Sequence, residues 1–145
     1  MILLDTNVLS EPLKPRPEPG VIAWLDSQVN DQLCISAVSV TEMLDGAARL
    51  HVGARRLRLE EAINSLLPRF TCLPFDEFAA RTYVQLTESA RRAGHSVWMR
   101  DAQIAAIAQS NGVEAVATRD TGLFEALGVA VLNPWTAKPA RHDAP

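Results

Sequence analysis

Met1-Ile2-Leu3-Leu4-Asp5-Thr6-Asn7 opens the chain, and the fold turns on how these residues are read. Ile2, Leu3 and Leu4 form an apolar run with no polar alternation, which suits a strand buried on both faces, as in a parallel sheet. The run stops abruptly at Asp5-Thr6-Asn7, three short polar residues that favour turns and helix caps. Ligands of open α/β sheets bind at the carboxyl ends of the strands. An acid directly after a buried strand is therefore a site candidate, and a plain helix cap is the competing explanation for Asp5 and Asn7.

Beyond this stretch, composition sets bounds. At 145 residues the chain is one domain by size. No apolar run approaches the ~20 residues needed to span a bilayer. The chain begins directly in the strand with no basic leader, so no signal peptide and a cytoplasmic location are expected. Cys34 and Cys72 both lie in apolar contexts and read as small core residues in a reducing compartment. Net charge is −3, so no global basic field announces a nucleic-acid binder; any such partner needs locally concentrated basic residues.

Apolar runs at Gln32–Ser36, Phe70–Phe75, Glu114–Thr118 and Val129–Asn133 read as four further strands, with Pro74 confining the second of these to an end or an edge. Helical patterns lie between them. Pro19 can start a helix carrying Val21, Trp24 and Leu25 after the Pro-rich Lys14–Gly20 connection. Ser39-Val40-Thr41-Glu42 has the S-x-x-E capping-box pattern, and the helix it opens runs to about Leu50. Leu59, Ile63, Leu66 and Leu67 give Ala54–Leu67 an apolar face, and Pro68 stops it. Asp76 can cap a helix to about Arg92, with Ala79, Tyr83, Leu86 and Ala90 on one face. His95–Arg100 reads as a loop. The helix opened by Asp101 is apolar almost all round, which predicts central burial, with Gly112 as its stop. Alternation of strands and helices predicts an α/β class with a central parallel sheet of about five strands flanked by helices. The domain is expected to span residues 1–135, with 136–145 a loose tail.

Four acids share a positional property. Asp5 follows the first strand, Glu42 lies in the first turn of the helix after the second, Asp101 stands at the start of the buried helix, and Asp120 is two residues past the fourth strand. Strand ends and the starts of the following helices lie on one side of a parallel sheet, so Asp5, Glu42 and Asp120 should face one crevice, and Asp101 can point into it from its helix terminus. Each has a bland explanation: a capping box for Glu42, a helix cap for Asp101, a turn for Asp120. Together those explanations weaken, because four carboxylates in one crevice repel and raise one another's pKa values. A cation resolves the conflict, and all-oxygen ligands favour Mg²⁺ or Mn²⁺ over zinc. His51, His95 and His142 lack metal-ligand spacing. Metal-assisted phosphodiester hydrolysis is the economical use of such a site.

LLDTNVLSE from Leu3, the Thr41-Glu42 pair, RDAQIAAIA from Arg100 and TRDTGLF from Thr118 together resemble the PIN-domain family. More closely, they are similar to the VapC-like and FitB-like toxins of bacterial toxin–antitoxin pairs. The resemblance covers Met1 to about Trp135. It implies a Mg²⁺-dependent ribonuclease, with Mn²⁺ as a possible substitute, and a small antitoxin that blocks the site. A homodimer is implied as well. Carried over, Asp5 and Asp101 are the first choices for direct metal ligands, and Glu42 and Asp120 bind directly or through water. Asn7 and Thr118 match polar residues that orient carboxylates and waters. Val97-Trp98-Met99-Arg100 departs from the pattern, being bulkier than the small or proline-containing loop expected there. Arg100 and Arg119 adjoin two of the acids and could hold phosphate oxygens. Arg49, Arg55, Arg56 and Arg58 could form an RNA-facing strip, against the reading as a solvated helix face. Trp24 and Trp135 are expected to pack, although Val21, Trp24 or Leu25 could line a partner groove.

Two rivals are a non-catalytic PIN-fold binding module and a phosphotransfer domain. A receiver needs paired acids after the first strand and a Lys after the fifth. An aspartyl-phosphatase needs a second acid where this chain has Asn7. Both fit poorly.

Overall fold

Leu3 and Leu4 are fully buried on opposite faces of β1 (Ile2–Leu4), so the opening run forms a strand covered on both sides. The computed structural model describes residues 1–137. β1 pairs in parallel with β2 (Leu33–Ser36) on one side and β4 (Ala115–Ala117) on the other. β3 (Thr71–Leu73) continues the sheet beyond β2, and β5 (Val131–Leu132) beyond β4. The order is β3-β2-β1-β4-β5, all parallel. β3 is therefore an edge, and Pro74 lies just past its end, both consistent with the constraint Pro74 sets.

Helices cover both faces. α1 (Thr6–Leu9), α2 (Pro19–Asp26), α3 (Ala37–Ala48) and α4 (Ala54–Leu66) pack Val8, Val21, Trp24, Met43 and Ile63 around Leu4, Ile35 and Ala117. α5 (Glu77–Arg92), α6 (Met99–Ser110) and α7 (Thr121–Ala126) pack Ala79, Ala90, Ile104, Ile107 and Phe124 around Leu3, Cys34 and Val116. α6 is buried along Ile104–Ala108, as its all-round apolar sequence predicted. Its alanines let neighbouring backbone approach closely. Truncating Leu3 or Leu4 to Ala in such packing costs about 2–5 kcal/mol. Gly94 and Gly112 end α5 and α6 at φ +82° and +60°, a conformation that favours glycine. Among the described residues, no helix is long and apolar enough to cross a membrane.

Several boundaries differ from expectation. α3 starts at Ala37, because the Ser36 hydroxyl accepts the Ser39 N–H at 3.0 Å at the end of β2. Ser39 to Glu42 is thus not a capping box, and Glu42 lies in the second turn. α6 starts two residues before Asp101, with Trp98 at its cap position and no side-chain cap bond, so Asp101 sits in the first turn without capping it. Cys34 is buried, but Cys72 is exposed on the edge strand. Val21 and Trp24 face the core, leaving only the partly buried Leu25 of the suggested partner groove. Of the expected tail, Thr136 and Ala137 bond back to the Asn133 carbonyl, and residues 138–145 lie outside the described residues.

Sheet order fixes where a site can form. The chain leaves β1 towards β2 and β3, then crosses back to β4 on the other side of β1. The reversal opens a crevice beyond the carboxyl ends of β1 and β4, the usual ligand position in such sheets. Asp5 and Thr118 are the residues immediately past those two ends.

Candidate metal and phosphodiester site

Asp5 is the N-cap of α1: its Oδ1 accepts the Thr6 N–H at 2.8 Å. Its Oδ2 accepts the Thr118 hydroxyl at 2.7 Å. Asp5 is only 5% exposed and Thr118 wholly buried, so this bond joins two buried polar groups contributed by adjacent strands. The register underneath is set by the sheet, with the Asp5 N–H bonded to the Ala117 carbonyl at 2.9 Å. The Thr118 hydroxyl in turn accepts the Asp120 N–H at 3.0 Å, which folds the turn after β4 back over the crevice.

Asn7 ties the two ends together. Its Nδ2 lies 3.3 Å from Asp5 Oδ2, 3.4 Å from Thr118 Oγ1 and 3.3 Å from Asp120 Oδ2, while its Oδ1 accepts the Arg119 N–H at 3.3 Å. Asp5, Asn7, Thr118 and Asp120 thus form one network, although 113 residues separate Asp5 from Thr118.

Glu42 and Asp101 come from helices on opposite faces of the sheet. Hydroxyls of Ser36, Ser39 and Thr6, spaced 3.1 and 3.0 Å, form a chain that ends at the Glu42 carboxylate. The carboxylates of the crevice act on one another. Burial first, then the charges of Asp101 and Glu42, raises the Asp5 pKa to about 6 against the hydrogen bonds from Thr118 and Thr6. Burial raises Glu42 as well; Thr6 and the Arg100 charge pull it down, and Asp101 pushes it up. Asp101 is raised by burial and then by Asp120. The expected elevation is present at Asp5, Glu42 and Asp101, but desolvation leads it and mutual repulsion follows.

Among the described residues, no three His, Cys, Asp or Glu side chains converge closely enough to grip one metal ion. The donor set is nonetheless all oxygen and mutually repelling. Mg²⁺ keeps several waters and takes one or two carboxylates directly. These carboxylates would therefore suit a hydrated ion held by one or two of them, and not a closed protein cage.

The basic residues divide. Arg49 pairs with Asp45 at 3.0 Å and Arg56 with Glu60 at 2.7 Å, each four residues along its own helix, while Arg55 and Arg58 stay exposed. Two members of the suggested strip are thus engaged on a solvated helix face, where such pairs contribute only tenths of a kcal/mol. Arg119 lies over the Trp135 ring at 5.2 Å. Arg100 is exposed and, through its effect on Glu42, faces the crevice.

Glu11 escaped the sequence reading. It is 3% exposed; Oε1 accepts the Glu18 N–H at 2.8 Å and Oε2 pairs with Lys14 at 2.6 Å, pinning the Pro-rich connection. Burial opposes its ionisation, but the hydrogen bonds from Lys14 and Glu18 and the charges of Lys14 and Arg119 outweigh it, so its pKa is lowered. The available signal was an acid with Lys three residues on. Trp98 and Met99 were also missed as surface groups; they are 78% and 63% exposed beside Asp101.

With this geometry in view, comparison with known proteins is direct. A PIN-domain family model matches residues 2–129. The chain is 46% identical over 138 residues to Toxin FitB of Neisseria gonorrhoeae, covering 93% of this chain and 99% of that protein. It is 44% identical over 140 residues to the VapC ribonuclease Y4jK of Sinorhizobium fredii, covering 93% and 98%. The crystal structure of FitAcB from Neisseria gonorrhoeae matches with a TM-score of 0.90 at 46% identity, covering 94% of this chain and all of that one.

Proposed function

The chain belongs to the PIN-domain family, and from that premise we propose that it is a Mg²⁺-dependent endoribonuclease, the toxin of a toxin–antitoxin pair. The observation that carries the reading is the buried Asp5 carboxyl at the β1–β4 reversal, bonded to Thr118 and linked by Asn7 to Asp120. A buried acid with a pKa near 6 is costly in a fold that gains nothing from it. Opposite Glu42 and Asp101, it is of use to a cation.

Asp5 and Asp101 are the direct ligands in this reading, and Glu42 and Asp120 reach the ion directly or through water. When bound, Mg²⁺ (or Mn²⁺) supplies positive charge against the phosphate and makes water acidic enough to attack near neutral pH. Thr118 and Asn7 hold the Asp5 and Asp120 oxygens in fixed directions, so no reorientation is needed as charge develops. Arg100, whose charge acts on Glu42, holds phosphate oxygens, as does Arg119 once it leaves the Trp135 ring. The names of the relatives, a toxin and a ribonuclease, support RNA as substrate and an antitoxin as partner. A homodimer follows from the family resemblance.

The protein freed of antitoxin should cut RNA with Mg²⁺ or Mn²⁺ and stop on addition of EDTA. Asp5→Asn should lower the rate by about 10³-fold or more, the scale of losing a principal electrostatic group. Cleavage that survives both chelation and Asp5→Asn would overturn the assignment.

A further inference from the structure

The turn that opens α6 places an uncommitted aromatic at the mouth of the crevice. Trp98 is 78% exposed, and among the described residues its indole N–H donates no hydrogen bond and its ring pairs with no other aromatic. The Ala102 N–H bonds the Trp98 carbonyl at 3.0 Å, so Trp98 opens the helical turn that carries Asp101. Trp98, Met99 and Arg100 line a cleft of about 580 Å³ with Glu42 and Asp101. This is a size at which small ligands are held. An indole left in water forfeits the burial that usually fixes its place. The stretch is also the one that departs from the small or proline-containing loop of the resemblance.

Charge decides what such a ring is for. The protein carries −3 overall, and its crevice concentrates carboxylates, so an RNA backbone is repelled from the crevice except at a bound cation and beside Arg100. Stacking does not suffer from that repulsion, because every base has a π-face. Resting on the nuclease reading above, we propose that Trp98 is a stacking platform for an unpaired base next to the cut phosphate, with Arg100 on the adjoining phosphate. Trp98 is then a positioning residue that favours single-stranded RNA. Two apolar side chains on one turn offer far less area than a stable protein partner requires, which is why a base is favoured over an antitoxin segment or a second copy.

Trp98→Ala should leave the melting temperature unchanged, since the side chain is exposed and makes no cap bond. With Mg²⁺ and a single-stranded oligoribonucleotide, it should raise KM roughly tenfold to a hundredfold with kcat within about twofold; Trp98→Tyr should recover most of the loss. The same RNA should quench the indole emission of the unsubstituted protein and much less that of Trp98→Ala. Unchanged KM and unchanged quenching overturn the proposal. So does a Trp98→Ala protein that loses self-association or antitoxin co-purification while its KM stays put, because the surface is then a protein contact. Quenching that depends on Trp98 without cleavage by the unsubstituted protein sustains the platform and overturns the nuclease reading. Absence of both overturns both.

Discussion

The crevice has two halves built by different means. Asp5 and Asp120 sit at strand ends and are wired together through Thr118 and Asn7 by bonds of 2.7 to 3.4 Å. Glu42 and Asp101 are carried in by α3 and α6; Glu42 is touched by the Thr6 hydroxyl, and Asp101 makes no cap bond. In the first half the fold spends backbone and side-chain donors on the carboxylates. In the second it supplies a helix to stand on and, for Glu42 alone, one hydroxyl. Acids of the first half are therefore part of the structure, and their removal should be felt in stability. Acids of the second half are close to free of structural duty.

The sharpest break is in pH. Asp5 has its pKa raised from 3.8 to about 6 in the folded protein. Between those values the folded state holds a proton that the unfolded chain has released, so stability falls as pH rises. Below about pH 4 the contribution is fully present, and it is lost through about pH 6. The shift corresponds to about 3 kcal/mol. In EDTA, the stability of the unsubstituted protein measured against Asp5→Asn by denaturant titration should decline by that order from pH 4 to pH 7. A flat difference would remove the burial argument on which the wired half rests.

Next in size is the wire itself. Thr118→Val keeps shape but strips the donor from Asp5 Oδ2 and the acceptor from the Asp120 N–H. The expected cost is about 1–3 kcal/mol at pH 7, where Asp5 is charged, and less at pH 4.5. Equal losses at both pH values would mean that Thr118 serves packing alone.

The smallest effect belongs to the free half. Asp101→Asn removes one of the charges that raise Asp5 and breaks no cap. Its metal-free melting temperature should equal or slightly exceed that of the unsubstituted protein. Mg²⁺ at ten times its dissociation constant should stabilise the unsubstituted protein by about 1.4 kcal/mol, a gain the variant should lose. Lower metal-free stability with the Mg²⁺ gain intact would move Asp101 into the structural half.

The two halves were also unequally legible. Strand ends were readable because an apolar run that stops at Asp5 or at Thr118 marks a place along the chain and, in a parallel sheet, a side of the molecule. Glu42 was readable as an acid of the crevice but not in its place on the helix: Ser36 and Ser39 both offered a cap, and only the end of β2 decides between them. Burial was the other blind spot. Nothing local separates Cys34, on an interior strand, from Cys72, on the edge. Nor does anything local distinguish the bare Trp98 from a core aromatic, and the Lys three residues after Glu11 hints at a pair but not at its burial. Those outcomes depend on strand order, which is a property of the whole chain.

That strand order has a consequence for synthesis. β1 emerges from the ribosome first yet lies in the middle of the sheet, and one of its two neighbours, β4, is made more than a hundred residues later. Until then Asp5 lacks the Thr118 hydroxyl and Asn7 lacks Asp120. A product truncated before residue 115 carries Asp5, Glu42 and Asp101 but neither Thr118 nor Asp120, the two side chains that hold Asp5 and Asn7 in place in the full fold.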